Sequence, residues 1–334
     1  MAFPMGELDA AMADTARTGS LAGDSPILGR SPRQLAWRRL RRDKAAMAGA
    51  VVVAIVVGVA IFATPLVRLY GHSVTGFNSD LTSADTGLPF GRFGGASGSH
   101  WLGVEPVNGR DILARLIAGA RTSLLIAGAA SALSLVLGVS VGALAGYYRG
   151  VVDAVLGRIM DVLLSFPTLL FAIALLAIFN QSPSFLGMSG QTLNFAVLIF
   201  VLGFFTFSYL ARIVRGQVLV IAEKDFIDAA RGIGASDWRI ITREILPNLA
   251  GPVLVWTTLM IPSYVLGEAS LSFLGVGVQS PTASWGEMLS HAKDYVGKDP
   301  MYLIWPAIAL FVTVLAFNLL GDGLRDALDP KSSR

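Results

Sequence analysis

Residues 228–247, DAARGIGASDWRIITREILP, are polar, helix-prone and punctuated by glycine, yet they lie between apolar runs long enough to cross a bilayer. The first half, from Glu223 through Asp225, Phe226, Asp228, Ala229, Ala230 and Arg231, reads as a short helix with a crown of small residues. Gly232 and Gly234 end it, because glycine takes the left-handed backbone of a helix terminus without strain. Ser236 or Asp237 then caps a second helix, Trp238 to Leu246, which Pro247 is expected to stop. Trp238, Ile240, Ile241 and Ile245 are apolar enough to require burial, so the segment is not a bare surface loop. In a chain otherwise given over to membrane, such a segment is a docking surface for another protein. A shift there passes to the spans on either side.

Working outward, the chain has the composition of a polytopic membrane protein: 54% of its residues are apolar and only 15% are charged. A spanning helix needs roughly 20 mainly apolar residues. Six runs qualify: Ala45 to Leu66, Ser123 to Tyr147, Ile159 to Asn180, Leu193 to Ile213, Leu249 to Leu271 and Met301 to Leu320. If the N-terminus is inside, 19 of the 26 Lys and Arg residues fall on the inner face and 7 on the outer, which places both termini and the Asp228 segment in the cytoplasm. Arg38-Arg-Leu-Arg-Arg42 before an apolar run has the look of a secretion signal, but the run is too long and lacks a small-residue cleavage site. It is read as an uncleaved first span.

Residues 1–30 are expected to be a disordered cytoplasmic tail, since their composition offers little to bury. Residues 31–44 suit a basic helix on the inner leaflet, in contact with anionic lipid, or else ordinary flanking charge that fixes topology. The transmembrane domain proper is expected over 45–322, with outer loops 67–122 and 275–300, a cytoplasmic loop 213–248, and a cytoplasmic C-terminus over 323–334. In the first outer loop, Ile112, Leu113, Leu116 and Ile117 share a helical face, with Asp111 and Arg115 turned away from it. Gly138, Gly142 and Gly146 recur every fourth residue in the second span, the small-xxx-small pattern that lets helix backbones approach closely. The spacing does not say whether the neighbour belongs to this chain or another.

No cysteine is present, so there is no disulfide framework and no thiolate chemistry. His72, His100 and His291 are scattered singly, and no metal site is assigned to them. Ionisable groups in or beside spans carry a functional reading because burying them in hydrocarbon is costly. Glu268, Tyr264 and Asp161 are therefore candidates for the translocation pathway or gate. For Glu268, snorkelling to the interface or a structural hydrogen bond stands beside that reading, and for Tyr264 aromatic packing does.

Asp228-Ala-Ala, Gly234 and Ile245-Leu246-Pro247 resemble the EAA loop of ABC importer permeases. AARGIGASDWRIITREILPN is similar to the C-type permease subunit of dipeptide and oligopeptide importers of the peptide/nickel family. NGRDILARLIAGARTSLL, GYYRGVVDAVLGRIMDVLLSFPTLL, EASLSFLGVGVQSPTASWGEML and LAFNLLGDGLRDALDP resemble the same subunit, so the likeness runs from about Arg30 to Pro330. Asp228 stands where the motif has Glu, Glu244 where peptide permeases often have His, and Gly103 to Asp111 is one residue longer than usual.

The resemblance implies an all-α membrane protein with about six spans and the type I ABC importer permease fold. It also implies a non-catalytic subunit of the bacterial inner membrane, forming half of a peptide pathway. Its partners would be a homologous second permease subunit in a heterodimer, two cytoplasmic ATP-binding subunits docked on the coupling helix 228–234, and an extracytoplasmic solute-binding protein. No cofactor is expected in this chain and ATP and Mg belong to the partners, which agrees with the lack of a Gly-x-x-x-x-Gly-Lys-Ser/Thr phosphate loop. No nucleic-acid partner is expected. Two alternatives stay open: the same architecture carrying nickel chelates or another small solute, and a proton-coupled secondary transporter. The second has no use for an EAA-type helix, and no inverted repeat is visible.

Overall fold

In a computed structural model, the fold is described for residues 32–180 and 184–328; the expected tail over 1–30 and the last residues of 323–334 lie outside them. Among the described residues the chain is helical, with no strand longer than an isolated bridge. A basic helix α1 (Pro32–Arg42) is separated from α2 (Lys44–Ile61) by Asp43, whose side chain caps α2 by accepting from Ala45 N at 2.9 Å and Ala46 N at 3.0 Å. Leu40 of α1 is buried against Ala46 and Ala327, whereas Leu35 and Trp37 stay exposed. Helix α3 (Ala63–Tyr70) follows and ends at Gly71, whose φ is 83°.

Helix α4 (Ile112–Tyr148) has 37 residues, about 55 Å at 1.5 Å per residue, and so projects well beyond the hydrocarbon layer. The expected lead-in before Ser123 is its first three turns rather than a separate element. Burial does not follow the expected face: Arg115 and Asp111 are buried along with Ile112, while Leu113, Leu116 and Ile117 are half-buried. Local periodicity could not show this, because the carboxylates that make burial of Arg115 tolerable come from outside α4, one from the outer loop and one from far along the chain. They are Glu287, 2.6 Å away, and Glu105, 3.3 Å away.

The third apolar run is not one straight span. Helices α5 (Gly150–Ser165) and α6 (Thr168–Asn180) meet at an angle of 78°. Pro167 lies at the break, and the residue before it, Phe166, is extended at φ −73° and ψ 131°, as the proline ring demands of its predecessor. Helix α7 (Gly190–Ile221) packs along α4, and the glycine stripe faces it within this same chain. A Cβ at Gly142 would lie 2.5 Å from the Ala211 carbonyl oxygen, and one at Gly146 would lie 2.7 Å from Val218 Cβ. Gly138 likewise faces Leu210, at 2.9 Å.

After the short helix α8 (Asp225–Gly232), helix α9 (Asp237–Phe273) runs unbroken through Pro247. The expected stop fails because residues Ile240–Ile245 take the wider π-helical winding, in which Leu246 N donates to Ile241 O. A π turn relieves the clash that a proline ring makes with the carbonyl four residues earlier. Helices α10 (Trp285–Ala292) and α11 (Pro300–Leu328) follow, with Met288 and Ala292 of α10 clustered with Ile112, Tyr302 and Leu102 of the outer loop. Among the described residues five helices are long and apolar enough to cross a membrane, six if the α5/α6 pair makes one broken span.

The glycine stripe makes one expectation testable. Gly142→Ala forces α4 from α7 and is expected to destabilise the purified protein by about 1–3 kcal/mol. Gly128→Ala, whose Cβ meets nothing within 4 Å, is expected to be neutral or to gain helix propensity. Equal thermal midpoints for the two variants in detergent would contradict the close packing.

Candidate functional site

Helix α8 hangs below the bundle between α7 and α9. Asp225 and Asp228 sit in its first turn and Arg231 in its last, each matching the sign of the helix dipole at that end. Its C-terminus is a Schellman closure: Ala235 N donates to Ala230 O at 3.0 Å and Gly234 N to Arg231 O at 2.9 Å. Gly234 supplies the left-handed residue this needs, with φ 81°.

Eight residues cannot hold a helix in water unaided. The anchor is Ile227, fully buried among Tyr147, Val218, Ile240, Ile241, Ile245 and Leu249, with Ala230 half-buried beside it. One isoleucine contributes about 1.5–3 kcal/mol. Asp225, Phe226, Asp228, Ala229, Arg231, Gly232 and Gly234 are all exposed. So are Ile233, at 83%, and Trp238, at 74%; the burial expected of Trp238 holds only for Ile240, Ile241 and Ile245, which face the bundle. An exposed apolar set on a polar, charge-bearing loop marks a surface for another protein.

Tyr147, at the end of α4, ties this knob to the bundle. Its hydroxyl donates to Asp237 Oδ1 at 2.8 Å, and the Arg231 guanidinium lies 5.6 Å from its ring centroid. Arg231 also pairs with Asp228 at 3.2 Å, and Arg149 with Glu223 at 3.0 Å. The helix is thus linked to α7 and α9 through the chain and to α4 through a side chain. Sequence reasoning missed Tyr147, because nothing local relates the end of one span to a loop some 90 residues on. It left the cap to Ser236 or Asp237; Ser236 occupies the cap position, without a side-chain bond, and Asp237 takes the tyrosine.

The intramembrane candidates fall elsewhere. Glu268 is completely buried and accepts from Ser123 Oγ at 2.8 Å and Ser272 Oγ at 2.7 Å. Ser123 Oγ in turn accepts from Trp285 N at 3.3 Å, and Ser272 Oγ from Val278 N at 2.9 Å. Glu268 therefore joins α4, α9 and the outer segment as a structural hub and does not snorkel. Tyr264 is buried, its hydroxyl 2.7 Å from Thr206 Oγ1. Asp161 is half-exposed and paired with Arg212, beside a second pair, Asp153 with Arg215, which together hold α5 to α7.

On the outer side Arg115, Arg110, Glu105, Glu287 and Tyr302 form a buried ionic cluster, with Tyr302 donating to Glu105 Oε2 at 3.1 Å. Burial pushes the Glu287 carboxyl up from the ordinary glutamate range, and the Arg115 guanidinium opposes that rise.

A bundle of apolar helices displaying a loop-borne helix on its inner side is the architecture of a transporter's membrane subunit. The chain belongs to the family of binding-protein-dependent transport system inner membrane components, which matches residues 138–334. Residues 31–82 match the N-terminal TM domain of oligopeptide transport permease C. The chain is similar to the glutathione transport system permease protein GsiD of Pectobacterium atrosepticum, 40% identical over 303 residues covering 90% of this chain and 92% of that protein. The protein of the same name from Escherichia coli is 40% identical over 306 residues, covering 90% and 91%. Among solved structures, an inward-facing conformation of the MetNI methionine ABC transporter has the same fold, with a TM-score of 0.52 and 19% identity over 65% of this chain and 98% of that one.

The protein is thus a C-type permease of the peptide/nickel class of ABC importers, a multi-pass protein of the bacterial inner membrane. It is non-catalytic; ATP hydrolysis belongs to partner ATPases.

Replacing Glu268 by Ala removes the acceptor of two buried hydroxyls and leaves a void, so it is expected to destabilise the protein by about 1–3 kcal/mol. Glu268→Gln keeps an acceptor and is expected to cost less. Equal melting of both variants and the parent in detergent would remove the hub.

Proposed function

We propose that this chain forms half of the translocation pathway of an ATP-driven importer of dipeptides and oligopeptides. In this reading a homologous second permease forms the other half of a heterodimer, and two cytoplasmic ATP-binding subunits supply the work. An extracytoplasmic binding protein delivers the cargo. Helix α8, with Asp225, Phe226, Asp228, Ala229, Ala230, Arg231, Gly232 and Gly234, is the coupling surface. Glutathione is itself a tripeptide, so the similarity to glutathione permeases along almost the whole chain supports a short-peptide cargo.

The observation that carries the coupling role is the contrast within α8: one buried anchor, Ile227, against an exposed apolar set that includes Phe226 at 43% and Ile233 at 83%. An ATPase groove closing on that set would move α8 as a rigid body. Tyr147, the end of α7 and the start of α9 would then deliver the displacement to the membrane. ATP and Mg are bound by those partners, and the chain contributes only the lever.

Gly234→Val tests the coupling. A β-branched residue at φ 81° strains the helix end, by roughly 1–2 kcal/mol for the left-handed conformation alone. ATP-dependent peptide uptake into vesicles is expected to fall several-fold while the chain still inserts. Uptake at the parental rate, with the same yield of copurified ATPase subunits, would refute the coupling role. Uptake that persists on a proton gradient without ATP would refute the importer reading itself.

A further inference from the structure

The outer loop brings together residues that are far apart in sequence. His72 follows Gly71 at the end of α3, His100 lies deep in the loop, and Asp111 caps α4. One ligand atom from each lies within 4.8 Å of the others. The reading of these histidines as scattered singly therefore fails for two of them: the imidazole rings of His72 and His100 are 4.4 Å apart at their centroids. Loop folding, not sequence spacing, makes the cluster.

We propose that His72, His100 and Asp111 bind a late first-row divalent metal ion of the zinc or nickel type, which staples the end of α3 and the outer loop to the start of α4. Two imidazoles and one carboxylate make the mixed nitrogen and oxygen donor set that such ions take in preference to calcium or magnesium. Water completes the coordination.

The site is built rather than incidental. His100 and Asp111 are 8% and 1% exposed, and His100 Nδ1 lies 2.7 Å from Asp111 Oδ2. The other carboxylate oxygen accepts from Ala114 N at 2.8 Å, and the Tyr70 hydroxyl donates to Oδ2 at 3.1 Å. Tyr70 is itself fixed by Trp101 N, which donates to its hydroxyl at 3.1 Å. The carboxylate is therefore held in place to bind the ion directly, with the Tyr70 hydroxyl supporting it from behind.

His72 supplies the approach from solvent: it is half-buried and lines a cavity on the outer side with Arg68, Ser73, Thr282 and Ala283. Donors around a tetrahedral zinc stand about 3.4 Å apart. The His72 ring has to move inward. The His100 and Asp111 pair, 2.7 Å apart around a shared proton, has to part by a few tenths of an ångström as the ion takes that proton's place. The His100 and Asp111 pair alone would satisfy the buried carboxylate, so the second imidazole turned into the same place is what points to an ion.

Zinc chloride titrated into the full-length chain, isolated without a polyhistidine tag and with its assembled subunits in detergent, tests the site. His72→Ala leaves the His100 and Asp111 contact intact and is expected to fold. The parent is expected to bind one zinc per chain more than His72→Ala by calorimetry, and zinc is expected to raise its thermal midpoint but not that of the variant. Tyr70→Phe is expected to weaken binding roughly tenfold. Zinc binding of the same stoichiometry and affinity in the parent, His72→Ala and His100→Ala would overturn the proposal, as would no saturable zinc binding by the parent.

Discussion

The burial of Ile227 in the pocket made by Tyr147, Val218, Ile240, Ile241 and Ile245 is the contact on which the mechanical reading depends. It is a small attachment for a helix that projects into the cytoplasm, and its smallness is informative. A coupling element has to follow its partner without unfolding, so it needs a firm pivot and a free surface. In the proposed coupling Ile227 is the pivot, and the hydrogen bond from Tyr147 to Asp237 ties α8's exit to the end of α4. The π-helical winding of Ile240–Ile245 lies next to that pivot, at the one place where α9 must pass a proline before entering the apolar layer.

What receives the displacement is comparatively stiff. The stripe of Gly138, Gly142 and Gly146 lets α4 lie against α7 at backbone distance, so those two helices behave as a pair. Toward the outside, Glu268 and the cluster of Arg115, Glu105 and Glu287 lock α4, α9, α10 and the outer loop into one block. In the proposed coupling, a movement entering at the inner end of α4 is carried outward by that continuous body. Helix α5 is tied to it through the Asp153 and Asp161 pairs with α7, and α6 through Ala172 and Leu176, buried in the same core.

Features set by local chemistry were legible in the sequence. Hydropathy revealed the long apolar helices, the four-residue glycine period revealed a close-packing face, and the two glycines after Arg231 revealed where α8 ends. Features that depend on a distant partner were not. Arg115 reads as a surface residue until Glu287 arrives from 172 residues away and the outer loop folds Glu105 against it. Pro247 reads as a stop because sequence gives no sign of π winding, and the run Ile159 to Asn180 reads as one span because hydropathy is blind to the turn at Phe166 and Pro167. Tyr147 carried no signal at all, since its role exists only where the end of α4 meets the start of α9. The family likeness supplied what neither source of physics could: that ATP hydrolysis belongs to partner ATPases, on which the proposed docking of α8 rests.

Because the chain contains no cysteine, a single Ala229→Cys substitution gives a unique reporter on that exposed face. Disulfide or short bifunctional crosslinking of this cysteine in the assembled transporter measures the central claim most directly. The account predicts a specific crosslink to an ATP-binding subunit whose yield changes when ATP is added. A cysteine that stays equally open to a water-soluble thiol reagent with and without the assembled subunits, and forms no crosslink to them, would contradict it.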